Sequence, residues 1–377
     1  MNREKTINPE MVILARESRG LTQRELAERL SVSPGWLSRV EGGLRGVQDM
    51  KLRQLSEALD YPVDFFVQKE PIYGLGVTEI FHRKRRIVAE KTLNKIYSQI
   101  NIRRMNLIKM LRGVEMGEIN IRPIHMDEFD GNAKDVARLV RARWHLPHGP
   151  IQNLMKAFED ARGIVISMDF GTNTIDAISY WPPDTPPLFF VNTYSPSDRL
   201  RFTLCHELGH IIMHQDAMFT PDMEKQSDEF AAEFLMPEIE IRPYLTDLSL
   251  EKLATLKQFW KVSMAALLKR ATDLGVITHR QSRTLWMQMG KAGYRRREPV
   301  ELDLPVEKPS LEKEIVDTYI EDMGYTISEL GKLLCLSTKE MMNDYIGSEQ
   351  RLRDKERRAI VGEAERIIKG HRKKWGE

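Results

Sequence analysis

The stretch Arg-Phe-Thr-Leu-Cys-His-Glu-Leu-Gly-His-Ile-Ile-Met-His, residues 201–214, decides how the middle of this chain of 377 residues is interpreted. Its apolar residues recur at helical spacing, which predicts a helix over residues 197–214. On a helix, residues four apart share a face, so His206 and His210 can reach one metal ion while Glu207 lies beside the water which that ion would bind. This is the geometry of a zinc hydrolase, although two histidines packed within a buried helix would leave the same pattern.

A third metal ligand is expected downstream, because a catalytic zinc ion usually has three protein ligands and keeps its fourth position open. An acidic helix predicted over residues 222–235 offers Glu224, since the apolar face of that helix would dock it against the histidine helix. Asp228, one turn further on, would accept the outer N–H of one histidine and fix its tautomer. Asp222 and Glu229 remain rival ligands, and an acidic helix can also be no more than a solvated face.

Two other side chains of the stretch need an interpretation. His214 continues the histidine face by another four residues, and we expect it to support the site rather than to bind the metal; a histidine hydrogen-bonded to the backbone would look the same. Cys205 points about 100° away from that face, so we interpret it as a packing residue.

A substrate groove is expected beside the histidine helix. The segment 188–192 is interpreted as an edge strand that would pair with an extended peptide. The side chains that would line this groove are Trp181, Asn192, Tyr194 and Arg199.

A second pattern, in residues 8–67, predicts a helix-turn-helix. Thr22 and Glu25 form a capping box ahead of a first helix, a tight turn follows at residues 31–33, and a second helix runs to Glu41. A helical docking or dimerisation module would use the same core, and this segment is charge-neutral rather than basic. The residues predicted to meet phosphates and base edges are Gln23, Ser33, Gly35, Trp36, Ser38 and Arg39.

Composition describes a globular chain of two or three domains. With 41% hydrophobic and 30% charged residues, it excludes a disordered tail protein. No run approaches the roughly 18 consecutive apolar residues of a membrane span, so we expect no membrane partner and a cytoplasmic location. The two cysteines, Cys205 and Cys335, provide no disulfide framework. The formal net charge of +2 leaves nucleic-acid binding to the local distribution of charge.

The predicted elements divide the chain into four parts. Residues 1–70 form an all-α domain, 71–131 a basic helical linker, 132–297 a domain of helices around a small sheet, and 298–377 a further helical region. The linker is basic because residues 81–112 carry ten basic side chains against one acid. The predicted fold class is therefore α+β and mainly helical.

The C-terminal region repeats part of the first domain. Residues 325–337 align without gaps on residues 21–33, and Thr, Glu, Leu, Leu and Ser recur in place. This predicts a second, degenerate helix-turn-helix, and the acidic residues on its would-be reading helix, 338–345, favour packing or a partner contact over DNA. The basic run 83–86 and the tail 351–374 would add phosphate contacts.

These motifs resemble two known families. Residues 8–67 resemble the XRE, or Cro-repressor type, helix-turn-helix. The motifs that carry this resemblance are Leu21-Thr22-Gln23, Leu26-Ala27, Leu37-Ser38-Arg39 and Glu41-Gly42-Gly43. Residues 132–295 resemble the ImmA/IrrE metallopeptidases. The residues that carry this resemblance are Arg199, Arg201–Leu204, His206–His210, His214 and Phe230–Pro237.

The second resemblance implies a zincin-like fold and a gluzincin-like zinc site. Glu224 and Asp228 fall on the Glu-x-x-x-Asp pattern of that family, whereas Gln226 leaves this segment one acid fewer than many relatives have. The resemblance also implies a substrate class, because members of the family cleave helix-turn-helix repressors and so release stress-response or mobile-element genes.

We therefore expect a DNA-binding transcriptional regulator fused to a zinc endopeptidase that cleaves a helix-turn-helix repressor or another copy of this chain. In this interpretation His206, His210 and Glu224 hold zinc, and Glu207 is the general base. Double-stranded DNA is the expected partner, and symmetric operators favour a homodimer. The alternative is a transcription factor whose peptidase fold serves as a sensing or dimerising module with little turnover.

Overall fold

The computed structural model describes residues 7–72, 88–183, 185–214 and 220–346. The predicted basic run at 83–86 and the basic tail at 351–374 lie outside these residues. Within the described ranges, no helix is both long and apolar enough to cross a membrane.

The chain forms two compact units. The described part of the first falls within Met1–Glu70, Met105–Val114 and Lys313–Glu377, and that of the second within Pro71–Arg104 and Glu115–Glu312. The four-part division at residues 1–70, 71–131, 132–297 and 298–377 stays a prediction.

The first unit is helical. Its N-terminal helices are α1 Pro9–Ser18, α2 Gln23–Arg29, α3 Pro34–Glu41 and α4 Asp49–Leu59, followed by a 3-10 turn at Val63–Val67. The long helix α5, Glu90–Leu111, belongs to the second unit up to Arg104 and to the first unit from Met105 onward. The C-terminal elements are α14 Leu311–Asp317, the π-helix Thr318–Asp322, α15 Ile327–Leu334, α16 Thr338–Met341 and the π-helix Met342–Ile346.

Helices α2 and α3 are held by caps and by one buried charge. Thr22 and Glu25 form the predicted capping box, and the Ser33 hydroxyl caps α3. The carboxylate of Glu41 is buried and accepts two hydrogen bonds from Arg16, at 2.7 and 3.1 Å, and one from Gln23 at 2.6 Å. Because each charge compensates the other out of water, this group fixes α1, α2 and α3 together.

The second unit packs helices around a small sheet. Its helices are α6 Ala133–Arg143, α7 Leu154–Asp160, α8 Ser197–Met213, α9 Pro221–Leu235, α10 Glu238–Ile241, α11 Leu250–Trp260, α12 Met264–Asp273 and α13 His279–Lys291, with 3-10 turns at Met126–Phe129, Arg242–Leu245 and Val300–Leu302. Its core is aromatic at the centre, where the Trp144 ring meets Phe158 and Phe234 edge to face. The α+β, mainly helical fold class is confirmed.

The sheet has the strand order β1-β3-β2, with β1 Ile164–Met168, β2 Ala177–Tyr180 and β3 Leu188–Asn192. Strand β3 runs parallel to β1 and antiparallel to β2. All five of its residues are buried, as expected for a strand that is paired on both sides and covered on both faces. The interpretation of residues 188–192 as an edge strand is therefore wrong: β3 is central, and β1 and β2 form the edges.

One kind of turn joins two α-helices at three places in the described residues. At each, a left-handed residue is followed by an apolar residue and then by a serine whose side chain caps the next helix. The turns are Ser31-Val32-Ser33, Lys261-Val262-Ser263 and Cys335-Leu336-Ser337. The sequence predicted the first and third turns, and it also contains the second, between α11 and α12.

The C-terminal repeat folds as a short copy of the first turn. Thr326 and Glu329 form a capping box ahead of α15, as Thr22 and Glu25 do ahead of α2. In α16, Glu340 is buried and binds the guanidinium of Arg19, within the same compact unit. The acid on the would-be reading helix is thus used for packing.

Candidate metal centre

Helix α8 places His206 and His210 side by side. Its inward face is apolar, with Leu204, Leu208 and Ile212 buried, so the adjoining histidine face turns toward α9. The Nε2 atoms of the two histidines lie 3.0 Å apart. Two nitrogens bound tetrahedrally to one zinc ion lie about 3.3 Å apart, so the two rings are spaced to share a metal.

A glycine lets α9 approach this helix closely. A Cβ atom built at Gly209 would lie 3.2 Å from the Phe230 ring and 3.3 Å from the Cα atom of Ser227. Phe230 also stacks on Phe234, with ring centroids 5.6 Å apart, so the ring cannot move freely away. The small residue between the histidines therefore sets the distance at which the acids of α9 face them.

Glu224 completes a group of three ligand side chains. Its Oε1 lies 3.3 Å from His210 Nε2, and its Oε2 lies 3.7 Å from His206 Nε2. All three ligand atoms lie within 4.8 Å of one another. Of the residues that the structure describes, this is the group found able to hold a metal, and it does not include the rival residues Asp222 and Glu229.

Asp228 orients the first histidine. His206 Nδ1 lies 2.9 Å from Asp228 Oδ1, so an N–H at Nδ1 donates to the carboxylate and leaves the lone pair at Nε2 facing Glu224. Burial lowers the pKa of His206, but the hydrogen bond to Asp228 and the charges of Glu207, Asp228 and Glu224 outweigh it, so this pKa is raised.

A hydrogen-bonded chain orients the second histidine. His210 Nδ1 lies 3.2 Å from His214 Nδ1, and His214 Nε2 lies 2.9 Å from the amide oxygen of Gln226. An amide oxygen only accepts, so His214 donates from Nε2 and accepts at Nδ1. His210 must then donate from Nδ1, which leaves its Nε2 lone pair available to a metal.

His214 is neutral at pH 7. Burial lowers the pKa of His214 to about 4, helped by the neighbouring histidines, and the hydrogen bond to Gln226 only partly opposes this. A neutral ring can accept at one nitrogen and donate at the other, as the chain requires.

Glu207 is buried beside the histidines and held on one side only. The hydroxyl of Ser179, on strand β2, donates to Glu207 Oε2 at 2.6 Å. Oε1 of Glu207 has no hydrogen-bond partner among the described residues. Leaving a buried carboxylate oxygen without a hydrogen bond costs free energy unless a ligand or a water molecule binds it. A carboxylate oxygen that is open to water in this way can act as a proton acceptor.

The remaining sequence-predicted residues near the site have structural contacts. Cys205 is buried, and burial raises the pKa of its thiol, so it packs as expected. Asn192 is also buried, and its amide donates to the carbonyl oxygens of Thr172 and Ile175, so the groove role predicted for it is wrong. Tyr194 is exposed, Arg199 binds Asp176, and the Trp181 indole donates to Thr185.

Sequence reasoning missed two residues of this site. Ser179 lies within a short strand and carried no recognisable signal. Gln226 departs from the family pattern, but the sequence does not predict its contact with His214.

The residues predicted to read DNA lie around α3. Ser33, Gly35, Ser38 and Arg39 are exposed. The side chain of Gln23 donates to Glu41. The Trp36 ring is partly buried, and the guanidinium of Arg45 lies 5.7 Å from its centre.

Comparison with known families identifies both segments. Residues 159–272 match the family model of the IrrE N-terminal-like domain, a peptidase family, and residues 14–64 match that of a helix-turn-helix domain. No curated protein matches the chain. The match at 159–272 contains the three strands, α8 and α9, and so the whole metal centre. The predicted fusion of an XRE-type helix-turn-helix with an ImmA/IrrE-type peptidase domain is confirmed.

Replacing Gly209 by Val should separate the acids of α9 from the histidines, because the added side chain meets Ser227 and the Phe230 ring. We expect the affinity for a divalent metal to fall by about tenfold or more, the size of effect seen when metal ligands lose their supporting contacts. Metal content after dialysis, measured by elemental analysis, tests this. Gly35→Val is the control, since a Cβ atom there meets nothing within 4 Å; equal metal content in both variants would contradict the packing argument.

Proposed function

We propose that this chain is a DNA-binding transcriptional regulator fused to a zinc-dependent endopeptidase. The observation that carries the proposal is the grouping of His206, His210 and Glu224 beside Glu207, whose free oxygen faces no protein partner among the described residues. The match to a peptidase family over residues 159–272 supports the same reaction class.

Zinc fits the donor set of this site. Two imidazole nitrogens and one carboxylate are a common set of protein ligands for catalytic zinc, and their spacing agrees with tetrahedral bonds to one ion. When bound, zinc would supply Lewis-acid chemistry, acidifying water and polarising the carbonyl of the scissile peptide bond.

Glu207 is the proposed general base. Its Oε1 would take a proton from the attacking water and then deliver it to the departing amine nitrogen as the peptide bond breaks. The Ser179 hydroxyl holds the other oxygen, so the carboxylate cannot rotate away. Ser179 lies on the edge strand β2, which would pair with a bound extended peptide. The strand that binds the substrate would therefore also position the general base.

Asp228 and the pair Gln226–His214 are the proposed positioning residues. Each fixes the tautomer of one ligand histidine by the hydrogen bonds described above, so that both Nε2 lone pairs point to one place. In this proposal they neither bind the metal nor touch the substrate.

The proposed substrate is a helix-turn-helix repressor, or another copy of this chain. The family resemblance supports this class, and the chain itself carries such a domain at residues 14–64. Because a repressor acts on DNA, this substrate class places the proposed reaction in the cytoplasm. Homodimer formation belongs to the proposal because a symmetric operator matches a protein with two-fold symmetry.

The proposed DNA-reading surface consists of α3, the turn before it and the first residue of α2. The residues that form it are Gln23, Ser33, Gly35, Trp36, Ser38 and Arg39. Arg39 is the strongest candidate for a base contact, since an exposed guanidinium can bind guanine through two hydrogen bonds.

Glu224→Ala should lose zinc, whereas Asp222→Ala and Glu229→Ala should retain it. We expect about one zinc ion per chain in the wild type and in these two control variants, and far less in Glu224→Ala and His206→Ala. Elemental analysis of dialysed protein gives the result. Loss of zinc in Asp222→Ala or Glu229→Ala, with retention in Glu224→Ala, would reassign the third ligand.

Glu207→Gln should abolish cleavage and keep zinc. Removing a general base lowers the rate by about 10²-fold or more, but the two histidines and Glu224 are unchanged. Purified helix-turn-helix repressors and the Glu207→Gln chain itself serve as substrates, and fragments are identified by mass spectrometry. Cleavage by the variant at the wild-type rate would exclude this mechanism, and absence of fragments with the zinc-loaded wild type would favour the sensing alternative.

Arg39→Ala should weaken sequence-specific DNA binding by about 1–3 kcal/mol. A duplex selected by the wild type from a random pool provides the operator, and fluorescence anisotropy measures affinity. Arg24→Ala is the control, because Arg24 is exposed on α2 and pairs with Glu28. If both variants bind the selected duplex as the wild type does, the reading surface is placed wrongly.

A further inference from the structure

A cavity of about 410 Å³ lies in the second unit and has no role in the function proposed above. Its walls come from α8, α9, α12, α13 and the segment 294–298. The volume is within the range of sites for small organic molecules.

One wall is the outer face of α12. Ala265, Ala266 and Lys269 stand at the positions after the turn Lys261-Val262-Ser263 that Gly35, Trp36 and Arg39 occupy after Ser31-Val32-Ser33. In α3 this face is exposed, whereas in α12 the chain at 294–298 lines the same cavity. The face therefore borders a half-open cleft, which suits a ligand smaller than a DNA duplex.

The floor of the cavity is apolar and partly aromatic. Two small residues, Ala265 and Ala266, leave the space open between larger side chains. The larger apolar side chains that line it are Phe202, Met236, Trp286 and Tyr294. Such a surface accommodates an aromatic ring or an acyl chain.

The acidic side chains of the wall are all paired. Lys257 is buried and binds both Asp198 and Glu298. The other two pairs are His206 with Asp228 and Lys269 with Asp273. Each carboxylate of the wall is therefore already bound to a lysine or histidine side chain of the protein.

Two of the basic side chains have no such partner. Arg199, Arg270 and Arg297 bind Asp176, Glu233 and Asp303, respectively. Arg295 and Arg296 make no ion pair within the part of the chain that the structure describes. The Arg295 guanidinium lies 5.3 Å from the centre of the Trp286 ring, so a cation and an aromatic ring form one corner of the cavity.

We propose that this cavity binds a small organic anion with an aromatic or acyl body, its charge on Arg295 and Arg296 and its apolar part between Ala266 and Trp286. Charge-assisted hydrogen bonds to guanidinium groups give such a site its preference for an anion. The binding does not depend on peptidase activity, although Asp228, which orients His206, is part of the same wall.

The test uses the full chain and the probe 8-anilinonaphthalene-1-sulfonate, followed by fluorescence. We expect saturable binding, displaced by naphthalene-2-carboxylate about tenfold better than by the neutral 2-naphthylmethanol. The double variant Arg295→Gln with Arg296→Gln should weaken probe binding by about tenfold. Its control is Arg280→Gln with Arg283→Gln, which removes two exposed arginines of α13 that do not line the cavity.

Ala266→Trp places a bulky indole in the cavity and should remove the saturable component altogether. Equal displacement by the neutral and charged naphthalenes would overturn the preference for an anion. Equal loss in the two double arginine variants would show a general charge effect instead of a site. Probe binding unchanged in both Ala266→Trp and the Arg295/Arg296 double variant would place the probe elsewhere on the chain and overturn the proposal.

Discussion

The metal centre depends on one constraint, the close packing of α8 against α9. Two ligands come from one helix and the third from the other, so no single element contains the whole site. Gly209 makes the approach possible, and the Phe230 ring, stacked on Phe234, packs directly against it. The short distance also explains why the supporting residues are shared between the helices. A looser packing would leave each carboxylate to water, and the histidines would lose their fixed orientation.

Much of the fold and of this site follows from local sequence, because helix periodicity, caps and four-residue spacing are local properties. Predicting the ligand group His206, His210 and Glu224 requires only two amphipathic helices and the assumption that their apolar faces meet. The position of strand β3 and the contact between Ser179 and Glu207 were beyond such reasoning. Both depend on which strands pair, and strand order is set by the whole domain instead of by the residues of one strand. The environment of Gln226 required the distance between two helices, which no pattern within either helix contains.

The three serine-capped turns show how one local solution serves different surroundings. The left-handed residue and the capping serine satisfy the same backbone groups in each case. What lies beyond the turn differs: α3 leaves its outer face exposed, α12 lines a cavity, and α16 buries Glu340 against Arg19. The turn therefore predicts helix geometry well and function poorly, because function resides in the outward side chains.

The hydrogen-bonded chain from Gln226 through His214 to His210 has a direction. With the amide oxygen facing His214, every proton points one way and the Nε2 atom of His210 presents a lone pair. A half-turn of the Gln226 side-chain amide would put its nitrogen in the same place and reverse every donor and acceptor in the series. His210 would then carry its proton at Nε2 and repel the cation. The same heavy-atom arrangement thus encodes two opposite polarities, and a glutamate at this position, which can only accept while ionised, would leave just one of them.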